Sequence, residues 1–270
     1  MALPFKERLA KGEPVFGSFA FLASPDIVEI MGLAGFDYVI IDLEHSPKDW
    51  SAVANMIRAA ELHGMAALIR VRENSEKSIL EALELGAAGI VLPFVQSADD
   101  IVRAARAMNY PPRGMRGTCT LTRAARYGGV RATFLEHSQQ QNERVVLIAQ
   151  IEDKLGVDNI QDILACEPGI DALIVGRSDL ASSLGRPGQV EDPLVLAATD
   201  QVIRAARLHK RAVPSGIGLY SPQEAGKWVE AGVGLFFYSA DSGMMVDAAR
   251  TAAQAFKASL AQHTARVAAE

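Results

Sequence analysis

Residues 145–152 read VVLIAQIE and residues 172–180 read ALIVGRSDL. Each is a short run of β-branched and apolar residues that ends on polar ones, Gln150 and Glu152 in the first, Ser178 and Asp179 just past the second. A run of this length without alternation reads as a strand buried on both faces, the habit of a parallel sheet covered by helices. If the whole chain repeats the unit, every strand C-terminus points to one face and residues distant in sequence converge there.

Working outward, similar runs recur at 16–21 (FGSFAF), 38–42 (YVIID), 66–71 (AALIRV), 89–94 (GIVLPF), 212–217 (AVPSGI) and 235–240 (LFFYSA), which with 145–152 and 172–176 makes eight. Helical spacing lies between them, as in Trp50, Val53, Ile57 and Ala60, or Val202, Ile203 and Ala206. Eight strands alternating with helices predict an α/β fold, a single (β/α)8 TIM barrel over residues 1–270, rather than an open doubly wound sheet. LAGFDYVII, LELGAAGIVL and VEAGVGLFF each place a glycine between a helix and a buried strand, where it supplies a left-handed cap. Two regions break the rhythm. Residues 95–144 are too long for a simple connection and carry Arg113, Arg116, Arg123, Arg126 and Arg131; they are expected on the rim after the fourth strand. The alanine-rich residues 248–270 predict a helix packing on a neighbouring subunit.

Composition excludes several classes. A net charge of -5 leaves no basic footprint for nucleic acid. No run approaches the roughly 20 apolar residues of a membrane helix, and MALPFKERLAKGEP lacks a secretory core, so no membrane partner and a cytoplasmic location are expected. Cys119 and Cys166 fit no metal spacing and read as reduced, partly buried thiols.

Strand alternation sends Gln150 and Glu152 the same way. Asp179 opens the next helix, where Ser178 or Asp179 would serve as an N-cap. Beside Glu152 on the adjacent strand, a shared divalent cation is the better account, because two carboxylates close together otherwise repel and one must protonate. Oxygen ligands with open positions suit Mg2+ or Mn2+ and argue against structural zinc. His45 follows Asp42 at the mouth of the second strand, where the carboxylate is expected to hold the ring in one tautomer for use as a base; capping of the next helix is the plainer alternative. His63, His137, His209 and His263 read as surface. Arg70, emerging from AALIRV, would bind an anion or pair with Glu44 or Glu152. The turn from Gly176 to Asp179 offers backbone N–H groups to a carboxylate. Gly216-Ile217-Gly218, read as a loop, offers weaker evidence of a phosphate seat. The lysines fall in helix or loop positions, so a Schiff-base mechanism lacks its amine.

AGFDYVIIDLEHSPKDW, ALIRV, GAAGIVLPFVQSADD, YPPRGMRG, AQIED, IVGRSDLASSLGRPGQ and FFYSADSGMM resemble, in order and spacing, the HpcH/HpaI aldolase family, whose members include 2,4-dihydroxyhept-2-ene-1,7-dioate and 2-keto-3-deoxy sugar acid aldolases. The resemblance spans nearly the whole chain. It implies a class II pyruvate aldolase, a carbon–carbon lyase that reversibly cleaves a 2-oxo-4-hydroxy acid to pyruvate and an aldehyde through a metal-bound pyruvate enolate. It implies Glu152 and Asp179 as ligands of Mg2+, Mn2+ or Co2+, His45 as base with Asp42 behind it, Arg70 beside the pyruvate oxygen, and Gln150 as a nearby pocket residue; Gly176 and Ser178 are expected about the substrate from the helix-start turn itself. It further implies a homohexamer with a swapped terminal helix, in which the acid at Glu84 reaches a neighbour's site. The family's Gly-Pro before the second ligand is Gly176-Arg177 here, adding a cation near the pyruvate, and the small residue after Asp42 is Leu43. Aldehyde selectivity is expected in rim loops that include Leu22 and Arg123. The rival readings are a citrate lyase-like acyl-CoA lyase or thioesterase, for which the arginine loop hints at a basic rim, and a non-catalytic barrel subunit.

Overall fold

A computed structural model describes residues 4–269; residues 1–3 and 270 of the expected 1–270 domain lie outside them. Eight strands, β1 (Val15–Ala20), β2 (Tyr38–Asp42), β3 (Ala66–Arg70), β4 (Gly89–Leu92), β5 (Val146–Ile151), β6 (Ala172–Val175), β7 (Ser215–Leu219) and β8 (Val233–Ala240), pair in parallel in chain order. β8 pairs with β1 and closes the barrel. The expected (β/α)8 architecture is therefore the observed one.

Alternation along the strands divides the apolar residues into two bodies. Val39, Ile41, Ile69, Ala149, Leu173 and Phe236 face outward and pack under the helices. Ile40, Leu68, Val91, Ile148, Ile174 and Leu235 fill the interior of the cylinder. Two residues farther along the same inward rows stand Asp42, Arg70, Gln150, Gly176 and Phe237. The barrel is thus plugged with hydrocarbon below, and its polar layer is confined to the C-terminal mouth. Lower down, Tyr38 crosses the interior and donates its hydroxyl to the Phe236 carbonyl at 2.7 Å. Gly17 makes room for it, since a Cβ there would lie 2.5 Å from the ring.

Side-chain caps start the helices: Asp49 before Trp50–Leu62, Ser75 before Glu76–Glu84, and Ser97 in a capping box before Ala98–Met108. The glycines expected to end helices do so, with φ of +89° at Gly35, +89° at Gly86 and +96° at Gly232.

Three expectations change. The seventh strand is Ser215–Leu219 rather than 212–217, because Pro214 has no N–H to give the ladder and the strand starts after it. Gly216, Ile217 and Gly218 therefore lie in a strand and form no phosphate loop; the space at Gly216 is taken by Leu235 and Ile174. The arginine-rich segment follows the helix Ala98–Met108, which runs back to the N-terminal end of the barrel, so the segment lies there and not on the rim. It is tied to the end of the helix Glu76–Glu84 by the Ala124 N–H on the Glu84 carbonyl at 3.0 Å.

The last helix, Asp241–Ala269, is exposed over most of its length, with Met245, Val246, Phe256 and Leu260 open to solvent. Among the described residues, no helix is long and apolar enough to cross a membrane.

Candidate active site

Asp42, the last residue of β2, is fully buried and stands in register with Arg70 on β3. Its Oδ1 accepts a hydrogen bond of 2.7 Å from Arg70 Nε. The same carboxylate folds back on its own loop, accepting the backbone N–H groups of Glu44 at 3.2 Å and His45 at 3.1 Å. Asp42 therefore positions the His45 backbone and does not hold the imidazole, contrary to the sequence expectation. An aspartate side chain that points into the barrel meets the arginine of the next strand before it can reach a ring in the following loop. The acid nearest that ring is Glu44, whose Oε2 is 3.6 Å from His45 Nε2. Glu44 Oε2 also lies 3.0 Å from Arg70 Nη1, so Arg70 joins Asp42 and Glu44 and does not pair with Glu152. Its guanidinium lies over the Phe19 ring, 4.7 Å from the centroid.

A buried lysine braces this loop. Lys48 Nζ donates to the Asp42 carbonyl at 2.7 Å and to Ser46 Oγ at 2.7 Å, and burial pushes the amine below its usual range. The sequence reading gave Lys48 no role, because nothing in its loop position signals burial.

On β5 Gln150 and Glu152 point the same way, as alternation predicts, and Gln150 Nε2 donates to Glu152 Oε2. The other oxygen, Oε1, accepts the Phe94 N–H at 2.8 Å. Phe94 holds that N–H in place from a left-handed backbone, φ +48°, unusual for an aromatic residue. Glu152 is only 1% exposed. Burial pushes its carboxyl up to about 7, the hydrogen bonds from Phe94 and Gln150 oppose this, and the charges on Glu44 and Asp179 add to it.

β6 runs into Gly176, which caps the short helix Arg177–Ser183; no side chain caps it, so Ser178 and Asp179 stand in its first turn. Among the described residues Asp179 has no hydrogen-bond or ion-pair partner. Arg177, by contrast, is buried: Nη1 donates to Glu191 at 2.8 Å and Nη2 to the Gly218 carbonyl at 2.7 Å. Its guanidinium lies against Tyr220 and Trp228.

His45, Arg70, Gln150, Gly176, Arg177, Ser178 and Asp179 line one cavity of about 340 Å³ at the C-terminal mouth, with Glu152 just behind Gln150. A larger hollow of about 850 Å³ lies at the opposite end, lined by the Arg123 segment and the strand entrances. Volume does not locate the chemistry here, because the raised carboxylates and the histidine lie at the mouth.

Glu84 and Arg123 do not join this site within the chain. Glu84 ends its helix at the N-terminal side and accepts from Arg116 Nη2 at 3.0 Å. Arg123 Nη1 donates to the Leu85 carbonyl at 2.8 Å and pairs with Glu61. His137, read as surface, is buried, and burial lowers its pKa; Cys119, read as partly buried, is exposed. The sequence reading also passed over Phe21, Tyr220 and Phe237, which complete the cavity wall.

The donor set fits a hard divalent cation. Glu152 and Asp179 would offer it carboxylate oxygens, and Gln150 Oε1 is buried without a hydrogen-bond partner. No nearby base neutralises Glu152, and its raised carboxyl is the mark of a buried anion short of positive charge. Among the described residues, no group of three or more His, Cys, Asp or Glu is placed to hold a metal ion.

Comparison with known proteins sets the chain beside aldolases. The family model described as HpcH/HpaI aldolase/citrate lyase matches residues 16–224. The chain is 33% identical to a 5-keto-4-deoxy-D-glucarate aldolase of Enterobacter sp. (strain 638), over 94% of this chain and 96% of the relative. It superposes on an HpcH/HpaI aldolase/citrate lyase family protein from Burkholderia cenocepacia J2315 with TM-score 0.87 and 34% identity, covering 93% of this chain and 98% of that one. An HpcH/HpaI aldolase from Desulfitobacterium hafniense DCB-2 gives TM-score 0.85 and 31% identity, covering 95% and 97%.

Proposed function

Since the chain belongs to the HpcH/HpaI aldolase/citrate lyase family and is an aldolase, a carbon–carbon lyase acting on small molecules, we propose that it reversibly cleaves a 2-oxo-4-hydroxy acid to pyruvate and an aldehyde. The observation that carries this reading is the pair of acids at the mouth: Glu152 buried and raised to about 7, and Asp179 without a partner. Glu152 and Asp179 would hold a divalent cation, Mg2+ or Mn2+, with the Gln150 amide oxygen beside them. When bound, such an ion supplies Lewis-acid stabilisation to charge developing on the keto-acid oxygens.

The chain's own residues do the rest. His45, half-exposed in the cavity with Glu44 Oε2 3.6 Å from its Nε2, takes the proton from the C4 hydroxyl. As the C3–C4 bond breaks, its electron pair passes to the keto-acid half as the enolate, and the C4 oxygen leaves in the aldehyde. Arg70, fixed by Asp42 and Glu44, faces the cavity with its charge directed toward the developing oxyanion. Asp42 and Lys48 position the loop that presents Glu44 and His45.

5-keto-4-deoxy-D-glucarate, for which the curated relatives are named, is a 2-oxo-4-hydroxy acid when numbered from its keto end and is one candidate substrate. The acyl-CoA alternative loses its support, because the arginine segment that hinted at a basic rim lies at the other end of the barrel. The exposed apolar residues of the last helix support its packing on another subunit, within a homo-oligomer.

The test is pyruvate release from a panel of 2-oxo-4-hydroxy acids after chelation and after restoring Mn2+ or Mg2+. Release should vanish with chelator, return with the ion, and be lost in Glu152→Ala. Undiminished turnover in that variant would exclude this site.

A further inference from the structure

The cavity lining is of two kinds: His45, Arg70, Gln150 and Asp179 are polar, and Phe21, Phe237 and Tyr220 are aromatic. Phe237 is seated by the strands themselves. Gly218 on β7 stands in register with Phe237 on β8, and a Cβ at 218 would lie 2.6 Å from the Phe237 ring. The glycine keeps β7 bare so that the ring can lie across it. Phe237 in turn meets Phe19 edge-on at 5.1 Å, and Phe21 lies 6.0 Å from Phe19.

The cations lining the cavity are already committed. Arg70 is held by Asp42 and Glu44. Arg177 is held by Glu191 and the Gly218 carbonyl, is covered by Tyr220 and Trp228, and keeps its Nε buried. The cation expected near the pyruvate at Arg177 is therefore already paired. Arg70 and Lys48 are both spent on the Asp42–Glu44 loop, so a second substrate carboxylate would enter the cavity without a free cation to pair with.

We infer that the aldehyde half of the substrate is neutral and carries an aromatic group that packs on Phe21 and Phe237, which sets this chain apart from relatives named for a diacid. The inference rests on the aldolase reading, and the experiment separates the two. The metal-loaded enzyme is given the pyruvate adduct of benzaldehyde and, in parallel, 5-keto-4-deoxy-D-glucarate, with pyruvate release followed for both. The aromatic adduct should have the higher kcat/KM by at least tenfold, and Phe21→Ala and Phe237→Ala should each bring that ratio down at least tenfold. Deuterium exchange into the pyruvate methyl group, which needs no aldehyde, is measured alongside. Exchange together with preference for the diacid, or a ratio unmoved in both variants, overturns the inference and leaves the aldolase reading standing. Loss of both exchange and pyruvate release in the wild type takes down both.

Discussion

Gly176 and Glu152 occupy space that admits only one side chain: a Cβ added at 176 would lie 2.6 Å from Glu152 Oε2 and 2.7 Å from its Cβ. The tip of a glutamate can yield, but its Cβ is fixed by the strand. Gly176→Ala should therefore move the whole Glu152 side chain, cost about 1–3 kcal/mol by overpacking, and weaken ion binding. Thermal denaturation and Mn2+ titration check this; an alanine variant with wild-type ion affinity would show that Glu152 has room to spare.

The carboxyl of Glu152 gives a pH signature in the ion-free protein. Its folded pKa, about 7, lies above the ordinary carboxylate value of 4.5. A raised folded value means that the group stabilises the fold below the ordinary value and that this contribution is lost as pH rises through about 7. Glu152→Gln removes that loss. Its amide can still accept from Phe94 N–H, and the unpartnered Gln150 Oε1 can accept from the new NH2 once the Gln150 amide turns over. With chelator present, the variant should melt above the wild type at pH 8 and lose that advantage toward pH 5, while being inactive at both. Equal melting temperatures across this range would mean that Glu152 is not burdened by burial.

The barrel was legible because its strands are buried on both faces and its helices carry their own caps, so β2, β3 and β6 run much as YVIID, AALIR and ALIV suggest. Alternation also made Gln150 and Glu152 legible as neighbours on one face of their strand. What could not be read was the identity of each charge's partner. Asp42 is close to His45 in sequence, yet the cross-strand register gives its Oδ1 to Arg70. Arg123 was expected in a rim loop, but the returning helix Ala98–Met108 carries its segment to the far end of the barrel. Arg177 could be read as a cation near the pyruvate but not as a paired one, because Glu191, which neutralises it, is supplied by a later loop.

Arg70 gives a prediction of magnitude, because its side chain is 6% exposed and stands between two acids. Arg70→Met leaves Asp42 and Glu44 without their cation and should cost about 3–5 kcal/mol. Arg70→Lys keeps the charge but not a planar fork that reaches both acids, so it should recover part of the stability and little of kcat. Adding Asp42→Asn to Arg70→Met should restore some of the loss, because one unpaired acid is then gone. Urea midpoints for the single and double variants measure this; strictly additive losses would show that the pair is not coupled.

The last prediction concerns Phe94, which gives Glu152 a backbone N–H at 2.8 Å from a φ of +48°. Its ring is 46% exposed, so the backbone geometry matters more here than side-chain burial. Glycine adopts this region without penalty, whereas a β-branched residue clashes with its own backbone there. Phe94→Gly should therefore keep the urea midpoint at or above that of the wild type and keep Mn2+ affinity. Phe94→Val should lose about 1–2 kcal/mol, and its Mn2+ affinity should fall as the N–H turns away from Glu152 Oε1. A valine variant matching the wild type in both measurements would mean that the left-handed turn at Phe94 is not what holds Glu152 in place.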